Sequence, residues 1–343
     1  MRTDSENRVL EMLRQAGQKF ISGEEIAERL GVTRTAVWKH IRELRAAGYS
    51  IVSQPRSGYS LQETPDRLLA SEIKHDLGTQ TIGCRIYSYE TIGSTNVTAR
   101  EMADRDAEAT PDGTIVVADE QTGGRGRLER HFFCPPTGIW FSVILRPDFL
   151  PQEAPKCTLF ASVAVVRAMR EFGVPGGIKW PNDVLHKGRK MVGILTELSA
   201  ELDRVNYIVI GIGINANIAE QDFPEDVRDK ATSLMEAKGE PVPRVAFLQA
   251  VLRAMDDLYA TIKTQGFGPV FDEWRRYSLT LGHEVRVIGV RSGEEMTGRA
   301  VDIADDGALV VETAAGRQRV LAGDVSVRPR EGGYWTDDEE SSD

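Results

Sequence analysis

The chain has 343 residues, enough for two or three domains, and its 41% hydrophobic and 27% charged content is that of an ordinary soluble protein. It has no apolar run of the roughly 20 residues that span a bilayer, no signal-peptide pattern and only three scattered cysteines, so we expect a cytoplasmic protein without a disulfide framework. The net charge is −10, but residues 1–60 carry ten Lys/Arg against seven Asp/Glu and the remainder 32 against 45, which suggests that only the N-terminal part meets a polyanion.

The first sixty residues predict a helix-turn-helix. Residues 8–16, 22–30 and 33–44 each repeat apolar side chains at helical spacing. Ser22, with Glu25 three residues later, forms a capping box that opens the second helix, and a glycine ends it. Two helices joined by a tight turn containing glycine are typical of this motif.

The third helix places polar and basic residues off its apolar stripe, where a recognition helix meets DNA. These residues are Arg34, Thr35, Trp38, Lys39 and Arg42. Two short strands at 50–53 and 58–61 then predict a wing, whose turn residue Arg56 would contact the DNA backbone or minor groove. We expect a winged helix-turn-helix DNA-binding domain over residues 1–63, and a small helical protein-interaction module remains the alternative.

A second domain, expected over residues 64–280, begins where Pro65 breaks the pattern. Strand-like and helix-like runs alternate along it and imply an α+β fold, with a mixed or antiparallel sheet and helices on one side. The predicted strands are 86–89, 114–118, 139–145, 178–180, a hairpin within 184–197, and 205–210. The predicted helices are 94–104 and 159–172.

The segment 121–127, Gln-Thr-Gly-Gly-Arg-Gly-Arg, follows a buried strand. Glycines let backbone amides approach a ligand closely, and guanidinium groups bind phosphate or carboxylate, so the segment suits an anion-binding loop of a nucleotide enzyme. A flexible surface loop is the alternative reading of the segment taken alone.

Two further features point to a ligand site. Gly211 and Gly213 follow a buried strand but lack the third glycine of a dinucleotide-binding fingerprint, so they more plausibly let a flat ligand lie against the backbone. Lys179 stands in an apolar run beside Trp180 and is either an exposed strand-end residue or a cation facing a buried anion.

The C-terminal part predicts two helices, at 247–264 and 271–277, and then about five short strands. Turn residues 305–307, Asp-Asp-Gly, are a strong hairpin signal. We expect residues 281–330 to form a small SH3-like barrel. Residues 331–343 contain six acids and no base and are expected to be a disordered, solubilising tail.

Five motifs, in this order, resemble the family of bifunctional biotin–protein ligases and biotin operon repressors, and the segment 33–41 resembles the family's recognition helix. The match covers about residues 5–330. The motifs are Gly93-Ser94-Thr95-Asn96, Gln121-Thr122-Gly123-Gly124-Arg125-Gly126-Arg127, Lys179-Trp180-Pro181-Asn182-Asp183, Gly193-Ile194-Leu195-Thr196-Glu197 and Gly211-Ile212-Gly213-Ile214-Asn215.

The resemblance implies a two-step reaction. The biotin carboxylate would react with the α-phosphate of ATP to form biotinyl-5′-AMP and pyrophosphate, and a lysine of a biotin carboxyl carrier protein would then take the biotinyl group. Two anions meet in the first step, so it needs cations. The family pattern assigns Arg125 and Arg127 as clamps and Lys179 as a point charge, with Arg127 and Lys179 catalytic. Magnesium would arrive with the ATP phosphates, and no protein metal site is expected.

The resemblance also assigns binding residues for biotin and the adenylate. The polar end of biotin would meet Ser94, Thr95, Asn96 and Gln121, and the remaining contacts would come from Gly124, Gly126, Trp180, Gly211, Gly213 and Asn215. Of these, Gly211 and Gly213 would leave room for the bicyclic ring, Trp180 would form a wall, and Asn215 would lie near the adenine. Residues 222–236 resemble the loop that covers the adenylate in this family.

Departures from the family pattern fall next to the Gly/Arg loop. Leu128 and Glu129 stand where further glycine and arginine occur, and an anion there predicts weaker retention of the intermediate. Phe132 and Cys134 replace Trp and Ser that are frequent in the family.

The expected partners are the carrier protein, operator DNA and a second copy of this chain, with dimerisation promoted by the adenylate. Three alternatives stay open: a ligase whose winged helix does not repress, a biotin-sensing repressor without ligase activity, and a lipoate ligase. The last shares the catalytic fold but lacks the helix-turn-helix.

Overall fold

The computed structural model describes residues 4–127, 130–290, 293–323, 325–330 and 334. It divides into two compact units, residues 1–67 and 68–343. Among the described residues, no helix combines the length and apolar character needed to cross a membrane. The departures at Leu128 and Glu129, and the acidic tail apart from Tyr334, lie outside the described residues.

The first unit is a three-helix domain with a β-hairpin. Its elements are α1 (Asp4–Ala16), α2 (Gly23–Leu30), α3 (Arg34–Ala46), β1 (Ser50–Gln54) and β2 (Gly58–Glu63). The predicted cap of α2 is present, because Ser22 Oγ accepts a hydrogen bond from the amide of Glu25 at 3.0 Å. Gly31 ends α2 with φ of 67°, which glycine adopts without strain. The inward faces of α1, α2 and α3 form a buried apolar core.

The second unit contains all remaining elements of the described chain. Its helices are α4 (Ala70–Lys74), α5 (Thr95–Arg105), α6 (Lys156–Glu171), α7 (Glu225–Arg228), α8 (Leu234–Lys238), α9 (Arg244–Gln265) and α10 (Gly268–Tyr277). Its strands are β3 (Ile86–Ile92), β4 (Thr114–Gln121), β5 (Ile139–Leu145), β6 (Gly177–Lys179), β7 (Asp183–His186), β8 (Arg189–Ala200), β9 (Val205–Ile214), β10 (Glu284–Gly289), β11 (Glu295–Ile303), β12 (Leu309–Thr313), β13 (Gly316–Val320) and β14 (Val325–Pro329).

The central sheet is mixed, as predicted. Its seven strands run in the order β3-β4-β5-β9-β8-β7-β6. The β3–β4 pair is parallel, and the other neighbouring pairs are antiparallel. The segments that follow β4, β6 and β9 all contribute residues to one cavity, which brings three of the sequence motifs into one region.

Helices cover both faces of this sheet, so the expectation of helices on one side is wrong. On β4, Ile115 and Val117 belong to the core under α6 and α9. Val116 points to the other face and packs with Ala99 and Met102 of α5. Successive side chains of a strand alternate between faces, and β4 is apolar on both, so it must be covered twice.

The C-terminal strands form an antiparallel five-stranded sheet in the order β13-β12-β11-β10-β14. The predicted hairpin turn lies between β11 and β12, where Gly307 has φ of 82°. This turn contacts the central domain, because Trp180 Nε1 donates a hydrogen bond to the Gly307 carbonyl oxygen at 3.2 Å.

Candidate functional site

Two cavities meet beside the segment that follows β4. The smaller has a volume of about 50 Å³. The larger has a volume of about 430 Å³. Residues common to both are Gly126, Arg127, Phe132, Asn182 and Lys190. A ligand that fills both cavities would therefore cross this shared boundary.

The inner wall of the small cavity is a network of buried polar side chains. Gln121 Oε1 accepts hydrogen bonds from the Thr95 amide at 2.7 Å and the Thr95 hydroxyl at 3.0 Å. Ser142 Oγ lies 2.8 Å from Thr95 Oγ1 and 2.6 Å from Asn96 Oδ1. Ser94, the N-cap residue of α5, lines the same cavity. These groups offer donors and acceptors to a small polar ring.

A carboxylate outside the cavity orients the Asn96 amide. Asn96 Nδ2 donates to Glu197 Oε2 at 2.9 Å and to the Leu195 carbonyl oxygen at 3.2 Å. Glu197 also accepts a hydrogen bond from Arg100 at 2.9 Å, and this contact raises the pKa of Arg100. With its nitrogen engaged on that side, Asn96 presents its oxygen toward Ser142 and the cavity.

Gly211 and Gly213 line the small cavity and make close contacts that a larger residue would prevent. A Cβ at Gly211 would lie 2.0 Å from Asn96 Oδ1, and a Cβ at Gly213 would lie 3.1 Å from the Phe132 ring. The space beside Gly211 is therefore bordered by Asn96, and the space beside Gly213 by Phe132. The sequence predicted space beside the backbone but not which side chains border it.

The two arginines of the Gly/Arg loop lie in different surroundings. Arg125 lines only the small cavity, whereas Arg127 lies on the boundary. Arg127 Nη1 donates to Asn182 Oδ1 at 3.0 Å, and Nη2 donates to the carbonyl oxygens of Gly323 and of Val325, the latter at 3.3 Å. The C-terminal sheet thus helps to hold this guanidinium at the junction.

Gly124 lines neither cavity, although the resemblance assigned it to binding. A Cβ there would lie 2.5 Å from Cys134 Sγ and from the Phe132 carbonyl oxygen, so glycine is needed for the loop to pack on the returning chain. Burial raises the pKa of the Cys134 thiol to about 12, although the hydrogen bond from Gln121 opposes this. The thiol is therefore neutral and unsuited to act as a nucleophile.

The large cavity is rich in cations. Those that line it are Arg127, Arg130, Lys179, Lys190 and Lys230. Lys179 lies opposite Asp183 in the β6–β7 pair, and Lys190 Nζ lies 2.6 Å from Asp183 Oδ1. Burial lowers the pKa of Lys179, and the charge of Asp183 opposes that shift. Lys179 thus faces the cavity, not open solvent at a strand end, and the excess of positive charge suits phosphate.

Trp180 and Asn215 have structural contacts that the sequence did not indicate. Trp180 is fully buried and lines the large cavity but not the small one. Asn215 lines the large cavity, and its Nδ2 donates to the Thr232 carbonyl oxygen at 3.0 Å. Asn215 therefore holds the segment that follows β9 as well as facing the cavity.

The segment expected to cover a nucleotide does border the large cavity. Phe223, Pro224, Val227 and Ala231 line it. The Lys190 amide donates to the Lys230 carbonyl oxygen at 2.7 Å, and the Thr232 amide donates back to the Lys190 carbonyl oxygen at 2.9 Å. These bonds fasten the segment to β8.

In the first unit, the predicted DNA-contacting residues share an exposed surface of α3 and the wing. Trp38 is 52% exposed, and the Arg42 guanidinium lies 5.0 Å from its ring centroid. The exposed members of the predicted set are Arg34, Thr35, Trp38, Lys39, Arg42 and Arg56. Arg56 has φ of 68° in the wing turn. The arrangement offers several cations to a polyanion.

Sequence reasoning missed several residues of the site. Ser142 is a lone polar residue in the apolar run of β5, and that anomaly could have identified it. Asn182 and Glu197 lie within recognised motifs, but nothing local indicated their roles. Phe132 and Lys190 border both cavities; Phe132 was noted only as a departure from the family pattern, and Lys190 was not singled out.

Three family models match the chain. The helix-turn-helix model matches residues 6–60. The model of the biotin/lipoate A/B protein ligase family matches residues 90–215, and the model of the biotin protein ligase C-terminal domain matches residues 280–328.

Whole-chain relatives agree with these matches. The chain is 42% identical over 329 residues to the bifunctional ligase/repressor BirA of Bacillus subtilis, covering 95% of this chain and 100% of that one. It is 30% identical to BirA of Escherichia coli, covering 92% and 95% of the two chains. The structure of the Aquifex aeolicus biotin protein ligase in complex with biotin and ATP matches with a TM-score of 0.61 and 30% identity, over 72% of this chain and 99% of that one.

Proposed function

This chain belongs to the family of bifunctional biotin protein ligases and repressors, and on that premise we propose that it adenylates biotin and transfers it to a carrier-protein lysine. The observation that carries the proposal is the pair of cavities joined at Arg127, one lined by buried polar groups and the other by cations. The ureido end of biotin would enter the small cavity, and the rest of biotin and the adenylate would extend past the shared boundary into the large one.

The site suits the first step because two anions must approach each other there. A biotin carboxylate oxygen would form a bond to the α-phosphorus, and the bond to the bridging oxygen of pyrophosphate would break. Arg127 at the boundary and Lys179 in the large cavity would stabilise the charge that builds on the phosphoryl oxygens. Arg125 would hold the carboxylate from the small cavity.

Magnesium would enter with ATP and neutralise phosphate charge. Asp183 and Asp226 are the carboxylates among the described residues that line the large cavity. Asp183 is already paired with Lys190, so Asp226 and phosphate oxygens are the better ligands. Magnesium would lower the charge repulsion between the reactants.

In the second step the amine of the carrier lysine would attack the biotinyl carbonyl and displace AMP. No enzyme nucleophile is needed, which agrees with the neutral, buried Cys134 thiol. Closure of the glycine-containing loop would keep water from the anhydride. We place this reaction in the cytoplasm, since the cysteines are unpaired and ATP is a substrate.

The winged helix would make the protein a biotin-responsive repressor. We infer that the adenylate promotes dimerisation, so that two α3 helices reach two half-sites of an operator. The five C-terminal strands would form an SH3-like barrel, and the carbonyl oxygens of Gly323 and Val325 would position Arg127.

The ligase proposal is tested by incubating the full chain with biotin, Mg-ATP and a biotin carrier domain, followed by intact-mass measurement of the carrier. We expect a gain of one biotinyl group that needs ATP. A parallel reaction with lipoate should leave the carrier unmodified. An unmodified carrier in the biotin reaction would overturn the proposal.

The repressor proposal is tested by gel filtration. We expect a monomer or weak dimer of the free chain and a dimer after incubation with biotin and Mg-ATP. An unchanged elution volume would reject adenylate-promoted dimerisation, while leaving the ligase reaction untouched.

A further inference from the structure

Tyr334 lies beyond β14, and its side chain is buried at 3% exposure. Its ring centroid lies 5.6 Å from Lys179 Nζ. A second contact comes from His283, which directly precedes β10, with ring centroids 5.8 Å apart and planes at 72°. An aromatic ring that contacts His283 therefore lies beside a lysine of the large cavity.

The lysine lacks an exclusive carboxylate partner. Asp183 lies opposite Lys179 in the β6–β7 pair, but its Oδ1 is 2.6 Å from Lys190 Nζ, so two ammonium groups share one acid. Burial meanwhile disfavours the charged form and lowers the pKa of Lys179. The face of an aromatic ring within about 6 Å attracts an ammonium group and offsets part of this cost.

The phenol contributes its ring and no charge. Tyr334 Oη is buried and has no hydrogen-bond partner among the described residues. Burial raises the pKa of Tyr334, so the hydroxyl stays protonated wherever the enzyme is stable. Replacement by phenylalanine would preserve the contact with Lys179.

We propose that Tyr334 is a positioning residue for adenylation: its ring holds the Lys179 ammonium toward the large cavity and shields it from water. The inference rests on the function proposed above, because it takes Lys179 to be the cation that meets the phosphate. It extends the site to a residue beyond the last strand of the C-terminal sheet.

The test is pyrophosphate release by the full chain with biotin and Mg-ATP, measured against pH. Tyr334→Phe should behave as the wild type, whereas Tyr334→Leu should lower kcat roughly three- to tenfold with little change in the KM for biotin. In the wild type, activity falls as pH rises through the lowered pKa of Lys179. Tyr334→Leu keeps Lys179 buried but removes the ring that favours the ammonium, so the pKa of Lys179 should fall further and the alkaline limb of the pH–activity profile should move to lower pH.

A matched control separates this role from a loss of packing. Arg146 lies 5.7 Å from the ring centroid of Tyr207, which lines neither cavity of the site. Tyr207→Leu removes a cation–π pair, together with the 2.6 Å hydrogen bond from Tyr207 Oη to Asp104, and should lower thermal stability without moving the alkaline limb. If Tyr334→Leu leaves both kcat and the alkaline limb at wild-type values, or lowers kcat with no shift of the limb, the inference is overturned.

The same measurements distinguish failure of the inference from failure of the proposed function. Lys179→Gln should abolish most adenylation. Full activity of that variant would show that Lys179 is not needed for adenylation. The inference about Tyr334 would then be overturned as well. Loss of activity in Lys179→Gln with wild-type behaviour of the Tyr334 variants would overturn only the role of Tyr334.

Discussion

The winged helix and the two-cavity site show two ways of building a binding surface. In the first unit, the candidate DNA contacts project from one helix and one turn into solvent, and packing of the opposite helix face holds the helix that carries most of them. In the second, the candidate ligand contacts come from five sequence motifs and are fixed by buried or partly buried hydrogen bonds. Substitutions should therefore have modest, independent effects in the first region and large, coupled effects in the second.

Arg127→Ala should have the largest effect of the substitutions considered, and that effect is on adenylation. Loss of the guanidinium at the cavity boundary removes a cation from the developing phosphate charge and should lower kcat/KM for adenylation by about 10²–10³-fold. Pyrophosphate release measures this. Arg204→Ala, which removes an exposed arginine paired with Glu201, is the control and should have wild-type activity. A loss of less than threefold for Arg127→Ala would contradict the assignment.

Gly211→Ala tests the coupling within the small cavity. The new methyl group would meet Asn96 Oδ1, so the amide must turn from its position against Ser142. We expect biotin affinity to fall by about 10–100-fold, as when a buried polar group loses its partner. Calorimetry with biotin measures the change. Gly268→Ala is the control, because a Cβ there meets no atom within 4 Å, and it should bind biotin as the wild type does. Equal biotin affinity of the two variants would contradict the predicted clash with Asn96.

Arg34→Ala tests the exposed surface. Removal of one phosphate- or base-contacting cation should weaken DNA binding about tenfold and reduce the slope of log K against log salt by about 1. Titration of duplex DNA at several salt concentrations measures both quantities. Arg29→Ala removes an arginine of α2 that pairs with Glu25 and should leave the slope unchanged. A wild-type slope for Arg34→Ala would exclude α3 from the interface.

Glu197→Gln should have the smallest effect. The variant replaces a charge-assisted acceptor of Asn96 and Arg100 with a neutral amide, and it weakens biotin binding about threefold to fivefold through the orientation of Asn96. The KM for ATP should not change. Glu201→Gln is the control, because Glu201 follows β8, pairs with the exposed Arg204 and lines neither cavity. A change in ATP binding alone would show that Glu197 acts elsewhere.

The first unit was predictable because its signals are local. The capping pair of Ser22 and Glu25, the helical spacing of apolar residues and the turn before β2 each involve residues close in the sequence. The central strands were predictable for a similar reason, although the apolar runs did not reveal that both faces of the sheet are covered. That required knowing where α5 packs.

The candidate site was predictable only as a set of segments. The motifs identified Thr95, Gln121 and Arg127, and the structure places them at the cavities. The sequence did not indicate that Gly124 serves packing or that Trp180 contacts the C-terminal sheet, because both contacts join segments that are distant along the chain.

The sequence by itself determined the element types, the winged helix and the chemical character of the Gly/Arg loop, since these depend on local conformational preference and on the functional groups present. Tertiary structure alone decided which groups meet. It set Ser142 between Thr95 and Asn96 and placed Arg127 where the two cavities join. The physical reason is that hydrogen bonding and desolvation depend on distance in space, and strand order, not position in the chain, sets that distance.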